Sequence, residues 1–272
     1  MNPWNAGRLA AAMQAKGLDA LVATTPENFH YATGYWSVGS QILRSALAMA
    51  IVDRRGMVQA LVLSCGDVAS FVTAGFDPER IFTYGRFYFA GGDEARPIQA
   101  RTEQAAASAH EALARALAAC GLGQGRVGLD EGQLPPPVWD ALPTVTPGAH
   151  FEPAASVFRE ARLVKSPYEV ACLRRATEIA EDALLDALRL ARPGITEMEL
   201  ARVFETGVAQ RGGRPVFTVV TFGERAALAD TPPSARALAP GDVMRFDIGV
   251  RYQGYCSDIA RTAVLGRPSP KL

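Results

Sequence analysis

The sequence has few histidines and cysteines, and it has no excess of charge of either sign. Its 272 residues include three histidines, none of them after His150, and four cysteines. The cysteines are far apart and form no CxxC pair, which argues against a zinc knuckle or a redox motif and favours reduced thiols in a cytoplasmic protein. Lysine plus arginine and aspartate plus glutamate both number 28, so no basic surplus attracts nucleic acid.

Long apolar runs are also lacking. The longest uncharged apolar stretch, Ser45 to Val52, is far shorter than the about 20 residues of a membrane-spanning helix. The N-terminus has no basic segment followed by an apolar one, so we expect no secretory signal, no membrane partner and a cytoplasmic location. Apolar residues nevertheless make up 49% of the chain and charged residues 21%, which is a globular composition for one large or two ordinary domains.

Helical and strand patterns alternate in the first half of the chain. One alanine-rich helix is predicted for Arg101–Cys120, and the proline-rich stretch Leu134–Pro153 is the best candidate for a linker. The alternation predicts an α/β (α+β) protein whose first domain, residues 1–155, contains a mixed sheet. Residues 156–272 form the second predicted domain. Short apolar strands of the first domain are predicted at residues 19–24, 46–52, 57–63, 80–84 and 126–129.

Two helix starts are strongly marked in the second half. Ser166, Pro167 and Glu169 supply an N-cap, a proline at the first helical position and a glutamate three residues after the cap, which is a capping box. Thr196 and Glu199 repeat the cap and the glutamate and predict a second helix. Strands are predicted downstream at residues 215–222, 243–250 and 256–265.

The last two predicted strands carry a pair of aspartates. If Tyr252 lies opposite Tyr255 at the tight turn between them, Asp247 and Asp258 project from the same face, because side chains alternate along a strand. The two residues are then diagonal neighbours about 7–8 Å apart at the backbone. Their carboxylates can converge on ions spaced about 3.5–4 Å apart, as in two-metal hydrolases. Gly249 on the same face would leave room for an ion or a substrate.

Two interpretations of this aspartate pair remain open at this point. Neighbouring carboxylates repel each other and resist desolvation, and a hard divalent cation offsets both penalties. Ion pairing offsets them as well, and three arginines lie close enough in sequence to act as partners. These arginines are Arg245, Arg251 and Arg261.

Three segments of the chain resemble one known family. The sequence FDIGVRYQGYCSDIART at 246–262 is similar to the metal-binding motif of the creatinase/aminopeptidase P/prolidase superfamily, which has the pita-bread fold. KSPYEVACLRRA resembles the start of its catalytic domain, and ENFHYATGYWS resembles a signature of its N-terminal domain. The resemblance covers essentially the whole chain. It implies a creatinase-type N-terminal domain followed by part of a pita-bread catalytic domain.

The resemblance also implies a chemistry. Asp247 and Asp258 would bind two divalent ions, Mn, Co or Zn, in an intact protein that hydrolyses C–N bonds of short peptides in the manner of an Xaa-Pro aminopeptidase or dipeptidase. The family is commonly homodimeric. His30, within ENFHYATGYWS, would either line a substrate cleft from a neighbouring subunit or have a structural role.

The chain departs from the family at two points. The family's further metal ligands, one histidine and two glutamates, have no match before Leu272, so we expect this chain to be truncated, inactive as written and a poor binder of metal. Asp230 stands where typical prolidases have a histidine that contacts substrate. An ionised aspartate cannot donate a hydrogen bond, which favours another amide or amidine-like substrate, unless Asp230 only caps a turn before Pro232.

Two rival functions remain. One is a metal-free amidinohydrolase of the creatinase kind, which shares the fold without the ions. The other is a non-catalytic binding or dimerisation module, which the unmatched ligands and Asp230 favour. Metal analysis with a chelator tests the first rival, and the coding sequence downstream of Leu272 tests the second.

Overall fold

The chain forms two compact units in the computed structural model. One unit comprises Met1–Val164 and the other Lys165–Leu272. Among the described helices, none combines the length and apolar character that crossing a bilayer requires. The residues that the structure describes are 6–43, 46–89, 91–270 and 272.

A six-stranded mixed sheet forms the centre of the first unit. Antiparallel pairing joins the second, third and fourth strands in sheet order, and the remaining neighbours are parallel. The mixed sheet predicted from the sequence is therefore confirmed. In sheet order, the strands are β4 (Ile81–Tyr84), β3 (Val58–Ser64), β2 (Met49–Asp53), β1 (Ala20–Ala23), β5 (Arg126–Leu129) and β6 (His150–Pro153).

Helices cover both faces of this sheet. The central strand β1 is buried at all four positions, as expected for a strand that has a core on each side. Leu21 packs in one apolar cluster with Phe29 and Phe158, whereas Val22 packs in the other with Leu113. The described helices are α1 (Ala6–Lys16), α2 (Pro26–Thr33), α3 (Val38–Ile42), α4 (Val68–Thr73), α5 (Arg96–Glu103), α6 (Ala109–Ala119), α7 (Pro136–Val145) and α8 (Ala155–Leu163).

Two predictions for the first unit are wrong. The predicted helix Arg101–Cys120 is broken into α5 and α6, because the Ser108 side chain accepts a hydrogen bond from the Glu111 backbone and caps a new helix. The predicted linker Leu134–Pro153 contains α7 and the edge strand β6, which pairs with β5. The prolines of residues 134–153 made α7 and β6 look like a loop in the sequence, although proline is tolerated in the first turn of a helix and at a sheet edge.

The division between the units falls later than the predicted boundary at residue 155. Helix α8 begins at that point and buries Val157, Phe158 and Ala161 in the core of the first unit. The first unit therefore extends to Val164.

The described part of the second unit contains two α-helices, a short 3-10 helix and a three-stranded antiparallel sheet. Both predicted capping boxes are formed, at the starts of α9 and α10. The sheet order is β7-β8-β9, so β9 is hydrogen-bonded to a neighbour on one side only within the described part of the chain. The helices pack on one sheet face over a core that includes Phe204, Phe222 and Phe246. The elements are α9 (Pro167–Leu190), α10 (Glu197–Gln210), β7 (Arg214–Phe222), β8 (Val243–Tyr252) and β9 (Tyr255–Val264).

Candidate functional site

The hairpin of β8 and β9 has the register that the sequence predicts. Asp247 is paired with Ala260, and Gly249 is paired with Asp258. Side chains alternate along each strand, so both aspartates project from the sheet face that the helices leave uncovered. Phe246 projects from the opposite face and is fully buried.

A two-residue turn fixes this register. Gln253 and Gly254 both have positive φ, 48° and 87°, as the hairpin turns that match strand twist require. Tyr252 and Tyr255 are paired on either side of it. A slip of one residue would move one aspartate to the buried face, so the turn determines that the carboxylates share a face.

The space beside Gly249 is occupied by an aromatic ring. A Cβ atom added to Gly249 would lie 2.3 Å from Cε1 of Phe217 on the neighbouring strand β7. The expectation that Gly249 leaves room for an ion or a substrate is therefore wrong, since the glycine makes room for Phe217. The half-exposed ring lies on the same face as Asp247 and Asp258 and gives that face an apolar wall.

One of the two aspartates is ion-paired. Nη2 of Arg245 lies 2.7 Å from Oδ2 of Asp247, and Nη1 of the same arginine donates to the Leu228 carbonyl at 2.9 Å. Arg261 pairs instead with Glu181 on α9.

The second aspartate has a different environment. Asp258 is exposed, and its side chain forms no ion pair or hydrogen bond within the described residues. The ion-pair interpretation thus holds at Asp247 and not at Asp258.

The donor chemistry of this face suits a divalent cation in part. Carboxylate oxygens are the ligands that hard cations prefer, and Asp247 and Asp258 present two such groups on adjacent strands. Within the described ranges, however, no group of three or more histidine, cysteine, aspartate or glutamate residues is arranged to hold a metal. On this face the described residues therefore present two carboxylates, one of which is paired with Arg245.

Asp230 lies on an exposed turn that is connected to this face. Its φ is 49°, a left-handed conformation that aspartate tolerates better than most residues. Its side chain forms no hydrogen bond or ion pair within the part of the chain that the structure describes. Arg245 bonds to Leu228, two residues earlier, and Arg225 donates to the Pro232 carbonyl at 2.9 Å. The structure thus places Asp230 between two anchored backbone positions.

Sequence reasoning missed the residue that anchors this turn. Glu197, in the first turn of α10, is fully buried. Its carboxylate accepts hydrogen bonds from the Phe222 backbone at 2.8 Å, from the Ser234 backbone at 2.8 Å and from the Ser234 hydroxyl at 2.6 Å. Nε of Arg225 donates to it at 3.1 Å. These partners lie 25–37 residues away in sequence, so no local pattern could reveal them.

His30 lies in the first unit and is packed as a structural residue would be. It is 9% exposed, and its ring stacks on Trp36 with centroids 5.0 Å apart. The neighbouring Asn28 donates to Asp130 at 2.8 Å. These contacts favour the structural interpretation of the ENFHYATGYWS segment.

The chain therefore combines a mixed-sheet α/β domain with a second α/β unit whose hairpin carries two carboxylates on one face. Residues 6–164 match the Creatinase/Prolidase N-terminal domain model, and residues 171–272 match the model of metallopeptidase family M24. The chain belongs to the creatinase/prolidase family of metallopeptidases.

Curated relatives agree with this assignment. The chain is 32% identical over 149 residues to "Uncharacterized peptidase YqhT" of Bacillus subtilis, covering 54% of this chain and 42% of that protein. It is 35% identical over 123 residues to an Xaa-Pro dipeptidase of Pyrococcus horikoshii, covering 44% of this chain and 35% of that protein. These alignments therefore span less than half of each relative.

Solved structures show the same fold over nearly the whole chain. An Xaa-Pro dipeptidase from Bacillus anthracis superposes with a TM-score of 0.72 at 22% identity, covering 98% of this chain and 66% of that one. A prolidase from Pyrococcus furiosus gives 0.68 at 21% identity, covering 94% and 69%. At these identities the likeness establishes the fold, which is that of prolidase-type pita-bread proteins.

Proposed function

We propose that the two units belong to a metal-dependent peptidase that hydrolyses C–N bonds of short peptides, as an Xaa-Pro aminopeptidase or dipeptidase does. The observation that carries this proposal is the β8–β9 register, which places Asp247 and Asp258 on one face as diagonal neighbours. We further propose that the protein is cytoplasmic and homodimeric and uses Mn, Co or Zn.

In this proposal Asp247 and Asp258 would hold the cations, which, when bound, would lower the pKa of a water molecule and polarise the scissile carbonyl. Phe217 gives the substrate an apolar surface beside the carboxylates and restricts access of water to that side. The chain spans only part of its relatives, so the activity belongs to a protein that also carries the family's histidine and two glutamates. With two carboxylates on this face of the described residues, cation binding is expected to be weak.

Asp230 affects which class of substrate the site is expected to bind. A carboxylate at this position cannot donate a hydrogen bond to a peptide carbonyl when it is ionised. It can accept hydrogen bonds from amide or amidine N–H groups. The exposed turn at Asp230 is therefore consistent with a substrate richer in N–H donors than an Xaa-Pro bond.

Metal binding by the chain tests the proposal directly. Mn²⁺ added to the isotope-labelled chain is expected to broaden backbone NMR signals near Asp247 and Asp258. Asp247→Asn and Asp258→Asn should each weaken this broadening, because each removes a charged ligand. Glu205→Gln, on the exposed side of α10, is the matched control and should leave it unchanged. Equal broadening in all four proteins would contradict the assignment of the two ligands.

The coding sequence downstream of Leu272 provides the second test. If that sequence encodes the family's histidine and two glutamates, the extended protein should hydrolyse dipeptides in a chelator-sensitive manner. Xaa-Pro and amidine-containing substrates should be compared, first with the wild type and then with Asp230→His. Hydrolysis that a chelator leaves undiminished would rule out the metal-dependent reaction.

A metal-free, creatinase-like amidinohydrolase is the second candidate. The ion pair between Arg245 and Asp247 favours it, because a guanidinium already neutralises one of the two carboxylates. This candidate predicts that the extended protein contains no bound metal and retains full turnover in chelator.

A further inference from the structure

One arginine connects the candidate metal ligand to the turn that carries Asp230. Arg245 precedes Asp247 by two residues on β8, so both side chains project from the same face. Its guanidinium contacts one carboxylate oxygen of Asp247 at 2.7 Å and the Leu228 carbonyl at 2.9 Å. Both charged side chains are about three-quarters buried, with 25% and 22% exposure. The contact is therefore a partly shielded bridge between two segments.

The segment from Leu228 to Ser234, which carries Asp230, is held differently at its two ends. At Ser234 the segment is anchored on the fully buried carboxylate of Glu197. At Leu228 its hydrogen bond to β8 comes from Arg245, among the contacts that the structure describes. Glu197 is enclosed by donors and cannot exchange partners readily. Arg245 contacts only the Oδ2 atom of Asp247, and within the described residues no hydrogen bond reaches Oδ1.

Arg245 and a cation at Asp247 would repel each other. A divalent ion bound to this carboxylate would lie on the order of 4–5 Å from the guanidinium, given metal–oxygen distances of about 2.0–2.6 Å. Like charges at that separation disfavour each other. A cation at Asp247 must therefore either displace Arg245 or bind with an affinity that is lowered by repulsion from its guanidinium.

We propose that Arg245 is a positioning residue that limits cation affinity at Asp247 and couples cation binding to the placement of the Asp230 turn. This inference rests on the proposed function, since it requires Asp247 to be a cation ligand. A cation that displaces Arg245 also removes its hydrogen bond to Leu228. The turn bearing Asp230 is then released at that end while Glu197 still holds the other.

Mn²⁺ binding and hydrogen exchange together test this role in the full chain. Arg245→Met removes the charge and the bridge, so the Mn²⁺ concentration that half-broadens the Asp247 and Asp258 signals should fall about tenfold. Amide protection between residues 226 and 233 should fall in this variant even without Mn²⁺. In the wild type, Mn²⁺ should lower the same protection, whereas in Arg245→Met it should cause no further loss.

A conservative variant separates charge from geometry. Arg245→Lys keeps the positive charge, but a single ammonium does not reproduce the two-armed contact. Its Mn²⁺ affinity should stay within about twofold of the wild type, while protection of residues 226–233 should fall as it does in Arg245→Met. Arg261→Met is the matched control, because Arg261 pairs with Glu181 away from the aspartate face. It should change neither readout.

The outcomes distinguish this inference from the function on which it rests. Mn²⁺ broadening that is equal in the wild type and Arg245→Met, or weaker in the variant, overturns the role of Arg245 and leaves the metal assignment standing. Broadening that is absent from both proteins at millimolar Mn²⁺ overturns the metal assignment and the inference together.

Discussion

At the scale of single residues, the packing of Phe217 on Gly249 determines the shape of the aspartate face. An alanine Cβ at position 249 would lie 2.3 Å from the ring, so Gly249→Ala must push the half-exposed ring toward solvent. We expect the free energy of unfolding to fall by about 1–2 kcal/mol, as measured by urea denaturation. In a Phe217→Ala background the same substitution should cost little. An equal loss in both backgrounds would show that the ring is not the cause.

The role of Glu197 could not be predicted from the sequence. Because its carboxylate is fully buried, a substitution there should lower the stability of the fold. Glu197→Gln keeps the shape but removes the charge that faces Arg225 and introduces a donor among donors. We expect the free energy of unfolding to fall by about 2–4 kcal/mol, as measured by urea denaturation. The control is Glu199→Gln in the same helical turn. Glutamine can also complete a capping box, so a loss there as large as that of Glu197→Gln would contradict the explanation.

At the scale of elements, the start of β8 depends on the turn that precedes it. Asp242 accepts hydrogen bonds from Arg236 at 2.7 Å and from the Ala239 backbone at 2.8 Å. The bond from Arg236 is the main reason that the pKa of Asp242 lies below its ordinary value of 3.8. A lowered carboxyl pKa stabilises the fold above the ordinary pKa, and this stabilisation is lost as the pH falls through the lowered pKa.

Asp242→Asn should therefore remove about 1–2 kcal/mol of stability at neutral pH and flatten the acid limb of the stability curve below about pH 4. Thermal unfolding measured across that range provides the test. Glu205→Gln, an exposed substitution in the same unit, is the control and should leave the stability at neutral pH unchanged. An unchanged acid limb in Asp242→Asn would show that another carboxyl group is responsible.

The elements also show how far sequence reasoning reaches. Both capping boxes and the β8–β9 register could be predicted, because caps and two-residue turns are determined by neighbouring residues. The break at Ser108 was missed because the alanine-rich pattern continues across it. Helix α7 and strand β6 were missed because their prolines resemble loop signals. In the structure, β6 is a strand because it pairs with β5. The ring of Phe217 over Gly249 depends on a strand about 30 residues away, which no local pattern reports.

At the scale of the whole molecule, the sequence predicted two α/β units, and the division depends on one helix. Helix α8 could not be assigned from its pattern alone, because an amphipathic helix shows that a core exists without showing which core. Its buried side chains pack in the first unit. The aspartate pair, in contrast, is defined entirely within the second unit, so its geometry follows from a single hairpin.

The outer edge of β9 has a consequence for the behaviour of the purified chain. Alternate residues of β9 present their main-chain N–H and C=O groups at this edge, where no neighbouring strand lies in the described part of the chain, and such an edge is a template for pairing between molecules. Asp258 and Arg261 place opposite charges along it. We expect reversible self-association that grows with protein concentration, and sedimentation velocity should detect it. Asp258→Lys should weaken it, because a lysine on an edge strand disfavours pairing with another edge.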